Sequence, residues 1–348
     1  MLAGLAYLNA GTDGPLPRRA VEAARAELER ELAEGRAMAH FERRGELGRA
    51  LREAYARALR ADPADVALTT STTEGMGQVV MGMELRPGDE ILTSDEEHPG
   101  LQGALAAARD ILGATIREVP LDRVAEEVGP ATKLVACSHV SWATGALAPA
   151  ELAAVEVPVL LDGAQGLGAI DVDVTALGCD AYAGAGQKWC CGPDGSGALW
   201  VAPAFRESLA VSRRGYGNLK EANLGLDAVV HEDARCFDAP SLSAEALACS
   251  LAAAEVLEGY GWEAVWERAR TLAARLGEML AEHGREPVPR GGSTLVSFPS
   301  PDPEAERAEL AEQGVLIRNI PGRGCLRASV GAWNDEDDLE RLLGALRG

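Results

Sequence analysis

Val157-Pro158-Val159-Leu160-Leu161 is a short apolar run that ends in Asp162. Such a run, bounded by polar residues, reads as a strand buried on both faces. Strands of that kind belong to sheets covered by helices, and in open α/β sheets ligands sit beyond the carboxyl ends of the strands. Asp162 therefore falls at a ligand edge and not in a core, with Gly163-Ala164-Gln165 directly behind it.

The neighbouring segments extend the pattern. Val66–Thr69, Glu90–Ser94, Thr115–Val119, Lys133–Cys137, the run from Gly178 to Ala183, and Gly197–Val201 read as further strands separated by helical stretches. Their alternation predicts an α/β fold with a doubly wound, mainly parallel, seven-stranded sheet. The link before Gly197 is too short for a crossover helix, so the last strand should run antiparallel. Two helices, Pro17–Glu34 and Glu46–Arg60, precede the sheet, on a period set by Leu28, Leu32, Leu47, Leu51, Tyr55 and Leu59.

After Ser243 the pattern becomes α+β. Helices are expected at Ala244–Glu258, Trp262–His283, Pro303–Gln313 and Asp335–Leu346, and strands at Thr294–Phe298, Val315–Arg318 and Cys325–Val330. This divides the chain into a large domain, residues 14–240, and a small domain of residues 1–13 and 241–348, with the junction near Asp238–Ser243.

The second informative stretch is Ala185-Gly186-Gln187-Lys188-Trp189-Cys190-Cys191-Gly192-Pro193-Asp194-Gly195-Ser196-Gly197. Only Lys133, Lys188 and Lys220 are lysines, and Lys188 alone sits among glycines, which let backbone approach another group closely. A surface lysine in a hairpin loop would look the same in isolation. Asp162 upstream changes the reading. A lysine that can form a Schiff base, paired with an aspartate that can face a pyridine nitrogen, is the recurring way a protein holds pyridoxal phosphate. Asp162…Gln165 and Lys188-x-x-x-Gly192-Pro193-x-Gly195-x-Gly197 resemble the motifs of the class V aminotransferase family of fold-type-I pyridoxal phosphate enzymes. That family includes cysteine desulfurases, isopenicillin N epimerase-like proteins and carbon–sulfur lyases, and the resemblance runs over nearly the whole chain.

The resemblance implies a set of site residues. Lys188 carries the cofactor and acts as the base at Cα, Asp162 holds the ring nitrogen, and Gln165 lies beside the ring. Ser71-Thr72-Thr73-Glu74 opens a helix after a strand, which suits either an ordinary capping box or an anion site. The resemblance makes it the phosphate cup, with Thr72, Thr73 and Gln187 as ligands. Ala185 replaces a frequent hydroxyl ligand there. His98 matches a histidine that stacks on the ring and moves protons, with a helix-capping loop residue as the alternative. Arg327 matches the arginine for the substrate carboxylate, although without the resemblance it reads as a surface strand residue. Asn9 belongs to an N-terminal segment that crosses the site mouth. Ser241 is the hydroxyl nearest the position that reaches a partner subunit's phosphate, or else caps a helix. His139 reads as structural. Trp142 stands where desulfurases have an asparagine, which leans toward the epimerase-like and lyase-like branches.

Net charge is 33 − 54 = −21, which argues against nucleic-acid or anionic-membrane partners. No apolar run approaches the ~20 residues of a membrane span. Seven cysteines without a basic leader or paired metal spacing suggest reduced thiols in a cytoplasm and no metal site. The implied protein is a homodimeric enzyme acting on an amino acid, most similar to lyases of the hercynylcysteine sulfoxide type that release pyruvate and ammonia by β-elimination. A desulfurase needs a mobile cysteine before the Arg327 strand. Asn319-Ile320-Pro321-Gly322-Arg323-Gly324-Cys325 is short, and Cys325 reads as a small buried residue there. Desulfuration, epimerisation and transamination remain alternatives, as does a cofactor-free binding protein on the same fold.

Overall fold

The computed structural model describes residue 2 and residues 4–346. A short strand, β1 (Ala6–Tyr7), leads into α1 (Arg18–Glu34) and α2 (Met38–Leu59). α2 begins at Met38 and not at Glu46, because His40 extends the buried stripe of Leu47, Leu51 and Tyr55 back by two turns. The sheet region follows as β2 (Val66–Thr69), α3 (Thr72–Gly82), β3 (Glu90–Ser94), α4 (Pro99–Ala107), β4 (Thr115–Val119), β5 (Thr132–Ser138), β6 (Val159–Asp162), β7 (Ala181–Ala185) and β8 (Gly197–Val201).

These strands form a seven-stranded sheet in the order β2-β8-β7-β6-β5-β3-β4. All pairings are parallel except those of β8, which is antiparallel to both β2 and β7. β2 therefore points the same way as the parallel strands, and the carboxyl ends of β2, β3, β5, β6 and β7 share one edge. The chain reverses its direction of travel between β3 and β5, the kind of switch point that opens a ligand crevice.

The apolar run in β6 is buried because both faces of the sheet are covered. Leu161 joins Leu47, Leu51 and Leu59 of α2 on one face, while Leu160 joins Met76, Val79 and Val80 of α3 on the other. Adjacent residues on a strand point to opposite faces, so a two-sided core demands a continuous apolar run and not alternation.

The rest of the chain comprises α5 (Pro203–Ser208), a small hairpin of β9 (Leu219–Glu221) and β10 (Val229–Val230), α6 (Ala244–Tyr260), α7 (Trp262–Glu282), β11 (Leu295–Pro299), α8 (Pro303–Glu312), β12 (Val315–Leu316), β13 (Arg318–Ile320), β14 (Cys325–Ser329) and α9 (Glu336–Ala345). β11, β14 and β13 form an antiparallel sheet, while β12 pairs in parallel with β1. The expected strand over Val315–Arg318 is thus two strands with different partners. Leu8, Leu272, Val296, Phe298, Leu326 and Leu342 fill this smaller core.

α6, just beyond the expected domain junction near Asp238–Ser243, packs on the large sheet. Its buried Ala244, Leu247 and Ala248 belong to the large-sheet core. Gly261, with a φ of 85°, turns the chain from α6 into α7, whose Val265 still packs with Cys249 and Leu257 of α6 before Leu272 and Leu276 join the smaller core. Ser241 is exposed and does not cap α6; Ser243 does, accepting from the Ala246 N–H at 3.3 Å. No helix among the described residues is long and apolar enough to cross a membrane.

Candidate active site

A cavity of about 210 Å³ opens at the shared strand edge. Its lining draws on the loops after β2, β3, β5, β6 and β7, together with Gly11, Thr12, Arg318 and Arg327 from the N-terminal segment and the small sheet.

Ser71 caps α3 by accepting from the Glu74 N–H at 3.1 Å. Glu74 does not complete a reciprocal box, because its carboxylate accepts from the Thr70 N–H and hydroxyl, both at 2.6 Å. The first-turn amides of α3, with Thr72 and Thr73, face the cavity at the positive end of the helix dipole. Thr72 Oγ1 and Gln187 Oε1 are buried there without partners. Unmet polar groups around a helix N-terminus fit a phosphate.

Asp162 ends β6 and is only 4 % exposed. Its Oδ1 accepts from the Ala164 N–H at 2.9 Å. Burial raises the Asp162 pKa, against the pull of the Ala164 N–H and of Lys188. A buried carboxylate with so little compensation suits a cationic N–H such as a pyridinium.

Lys188 follows β7 through Gly186, where a β-carbon would lie 2.4 Å from Ser196 Oγ and 2.5 Å from the Tyr55 hydroxyl oxygen. Burial pulls the Lys188 amine down to about 8, with Asp162 opposing. A sizeable neutral fraction is therefore present near physiological pH, as imine formation and proton abstraction require.

His98 caps α4, its Nδ1 accepting from the Gly100 N–H at 3.1 Å. In the neutral ring the proton then sits on Nε2. Burial, reinforced by Lys188, Arg318 and Arg327, pulls His98 down to about 4. At neutral pH it is a hydrogen-bond donor and a ring surface, set edge-to-face against Trp142 with centroids 5.1 Å apart. Gln165 is committed on both sides: Nε2 donates to the Gly11 carbonyl at 2.8 Å, and Oε1 accepts from Trp189 Nε1 at 2.9 Å.

Arg327 is 1 % exposed, in contrast to the surface position that its strand pattern alone suggested. Nη1 donates to the Trp142 carbonyl at 2.6 Å, and Nε and Nη2 are buried without partners. Burial, then Arg318, pulls its pKa down to about 9. A carboxylate would answer both the charge and the open fork.

Two expected residues lie elsewhere. The Asn9 side chain accepts from Thr12 Oγ1 at 2.8 Å and is not part of the cavity wall. Its segment does cross the site, through Gly11 and Thr12. Ser241 is not part of the wall either. His139 is buried against the Tyr182 hydroxyl at 3.0 Å, a structural contact. Arg318, Thr12 and Met76 line the cavity and were not singled out in the sequence. Arg318 was traceable only through the hairpin register that sets it opposite Arg327.

The anion cup, the isolated acid and the depressed lysine fit pyridoxal phosphate, which Thr72, Thr73 and Gln187 would hold at its phosphate, Asp162 at its ring nitrogen and Lys188 at its aldehyde carbon. The fold and this site define a fold-type-I pyridoxal phosphate enzyme. The family model described as "Aminotransferase class-V" matches residues 6–342, and the chain belongs to that family. It is 32 % identical over 331 residues to a probable cysteine desulfurase of Pseudomonas aeruginosa, covering 82 % of this chain and 78 % of that protein. It is 29 % identical over 385 residues to the isopenicillin N epimerase of Streptomyces clavuligerus, covering 97 % and 93 %. Among solved structures, a complex between the cystine C-S lyase C-DES and its reaction product cysteine persulfide superposes with a TM-score of 0.92 at 30 % identity, covering 99 % and 98 %. The chain is thus a class V pyridoxal phosphate enzyme of the cysteine desulfurase-like kind.

Proposed function

We propose that the protein is a carbon–sulfur lyase that eliminates a sulfur leaving group from a cysteine-derived amino acid or sulfoxide, giving pyruvate and ammonia. The observation that supports this most is the absence of a cysteine from the cavity wall. Cys190 and Cys191 are close in sequence to Lys188, but both are buried, and burial pushes the Cys190 thiol up to about 12. Cys325 is half-buried within β14, paired to Pro299 and Ile320, and burial raises its pKa as well. A persulfide-forming cysteine needs a thiolate and freedom to move. A strand residue flanked on both sides has neither.

Bound pyridoxal phosphate supplies an electron sink for cleavage at Cα. Arg327 holds the α-carboxylate, which orients the Cα–H bond. The Lys188 amine removes the Cα proton. Asp162 stabilises positive charge at the ring nitrogen. His98 donates from Nε2 and shields one side of the site. The Cβ–S bond then breaks, sulfur leaves with the electron pair, and the released enamine hydrolyses to pyruvate and ammonia. The relative from Pseudomonas aeruginosa favours desulfuration as a second reading. The same reading includes a homodimer in which the exposed Ser241 faces the partner's phosphate cup, which sedimentation analysis would test.

The deciding assay supplies the holoenzyme and its Cys325→Ala variant with S-substituted cysteines and their sulfoxides and measures pyruvate. Elimination predicts turnover by both. Loss of turnover in Cys325→Ala with cofactor retained, together with a persulfide trapped on Cys325 of the parent, would establish desulfuration instead.

A further inference from the structure

The loop after β3, Asp95-Glu96-Glu97-His98, places two glutamates directly before the histidine of the site. β3 pairs with β5 only as far as Leu92 and Val135, although β3 runs on to Ser94 and β5 to Ser138. The last residues of the two strands therefore do not pair with each other, and a crevice opens where the chain reverses its direction of travel. Glu97 spans that gap. Its Oε1 accepts from the Ser138 N–H at 2.9 Å and from the Ser94 hydroxyl, and its Oε2 accepts from the Ser138 hydroxyl at 2.7 Å. Glu97, Ser94 and Ser138 are each no more than 3 % exposed. Glu96 joins the loops after β3 and β5 a second time, accepting from the Thr144 hydroxyl at 2.7 Å and from the Ser141 hydroxyl.

Both ends of this clamp lead into the site. Ser138 is the register partner of Asp162, and the His139 N–H donates to the Asp162 carbonyl at 2.9 Å. On the other side Glu97 is followed by His98, whose ring is held by the Gly100 N–H and by its edge-to-face contact with Trp142. Glu97 itself is not part of the cavity wall. A carboxyl buried away from a ligand needs partners to offset its desolvation, and here those partners are the strand ends themselves. We propose that Glu97 is a positioning residue: it ties the end of β3 to the end of β5, so that the His98 ring and the Asp162 carboxylate stand at a fixed separation around the cofactor ring. The strand ladder has already run out at this level, so the carboxyl takes over the work of the missing backbone bonds. The inference rests on the cofactor and is independent of the lyase reading.

The test compares the parent with Glu97→Leu and Glu97→Gln. Pyridoxal phosphate affinity is measured together with the visible circular dichroism per bound cofactor, which reports the orientation of the ring, and with the melting temperature of the cofactor-free protein. Glu97→Leu removes all three bonds. It should weaken cofactor binding by about tenfold or more, the scale of one hydrogen bond to a charged group, and lose most of the dichroism. Glu97→Gln should recover both, because its oxygen keeps the two bonds of Oε1 and its amide can donate to the Ser138 hydroxyl oxygen. A role in fold stability alone would move the melting temperature and leave the signal per bound cofactor unchanged. Parent values of affinity and dichroism in Glu97→Leu overturn the proposal. So does a Glu97→Gln variant that behaves like Glu97→Leu, which assigns the effect to charge and not to position. If Glu97→Leu does not fold, the double change Ser94→Ala with Ser138→Ala strips both hydroxyls from the clamp and decides instead: reduced dichroism supports the clamp, and parent dichroism overturns it.

Discussion

Gly14 stands so close to Lys188 that a β-carbon on it would lie 1.9 Å from the Lys188 carbonyl oxygen. Its N–H donates to the Gln187 carbonyl at 2.8 Å. The N-terminal segment is therefore bonded directly across the lysine loop, which is how residues at the start of the chain come to roof a site built at the end of β7. Gly14→Ala should displace one of the two segments, at a cost of about 1–3 kcal/mol for overpacking. The expected result is a lower melting temperature together with cofactor affinity reduced by about tenfold or more. An unchanged affinity would show that the segment is not coupled to the lysine loop.

Asp162→Asn should separate catalysis from folding. An amide cannot stabilise charge on the ring nitrogen, and loss of a preorganised group of this kind costs on the order of 10²–10³ in kcat. The fold should not suffer. Burial raises the Asp162 pKa, so its ionised form opposes folding of the cofactor-free protein at pH above the unfolded value. Urea unfolding of cofactor-free samples at pH 8 should therefore find the variant at least as stable as the parent, while turnover collapses.

Glu97 gives the cofactor-free protein a pH dependence of definite sign. It accepts from the Ser138 N–H at 2.9 Å, from the Ser138 hydroxyl at 2.7 Å, and from the Ser94 hydroxyl. Burial nonetheless raises its pKa to about 7, with Asp162 adding to the shift. The folded state therefore binds more protons than the unfolded state between the ordinary glutamate value and about 7. This group's contribution to stability falls as pH rises through that window and is flat above it. His98 and His139, both pulled down to about 4, act in the opposite direction below pH 6.5. The difference between parent and Glu97→Gln isolates the glutamate. The advantage of the variant should grow from pH 4.5 to 7, by up to ~3 kcal/mol. Parallel stability curves for the two proteins would contradict the assignment.

Much of the sheet was legible because burial on both faces forces continuous apolar runs, as in β6, and because the short link before Gly197 leaves no room for a crossover. Lys188 and Asp162 were legible because the chemistry of each is specific and both follow strand ends. What sequence order could not give was pairing across the chain. Arg327 lies in Cys325-Leu326-Arg327-Ala328-Ser329, which alone reads as a surface strand; Gly11 and the Trp142 carbonyl in the loop after β5, both far away in the chain, lie against its guanidinium. Arg318 carried no signal until β13 met β14. The expected helix over Ala244–Glu258 carried no signal for the sheet it packs against. Gln165 shows a subtler limit: its motif position gave its location, whereas its bonds to Gly11 and Trp189 depend on segments far away in the chain.

The most direct test of the active-site assignment is borohydride reduction of the holoenzyme followed by peptide mapping. Reduction fixes the cofactor on whichever lysine holds it, and Lys133, Lys188 and Lys220 are the only candidates. Lys220 is taken up by Glu232 at 2.8 Å in the hairpin, and Lys133 lies exposed in β5, whereas Lys188 lines the cavity beside Asp162. The label should appear on Lys188 alone. A label on Lys133 or Lys220, or a yellow protein whose Lys188 peptide is unmodified after reduction, would contradict the assignment.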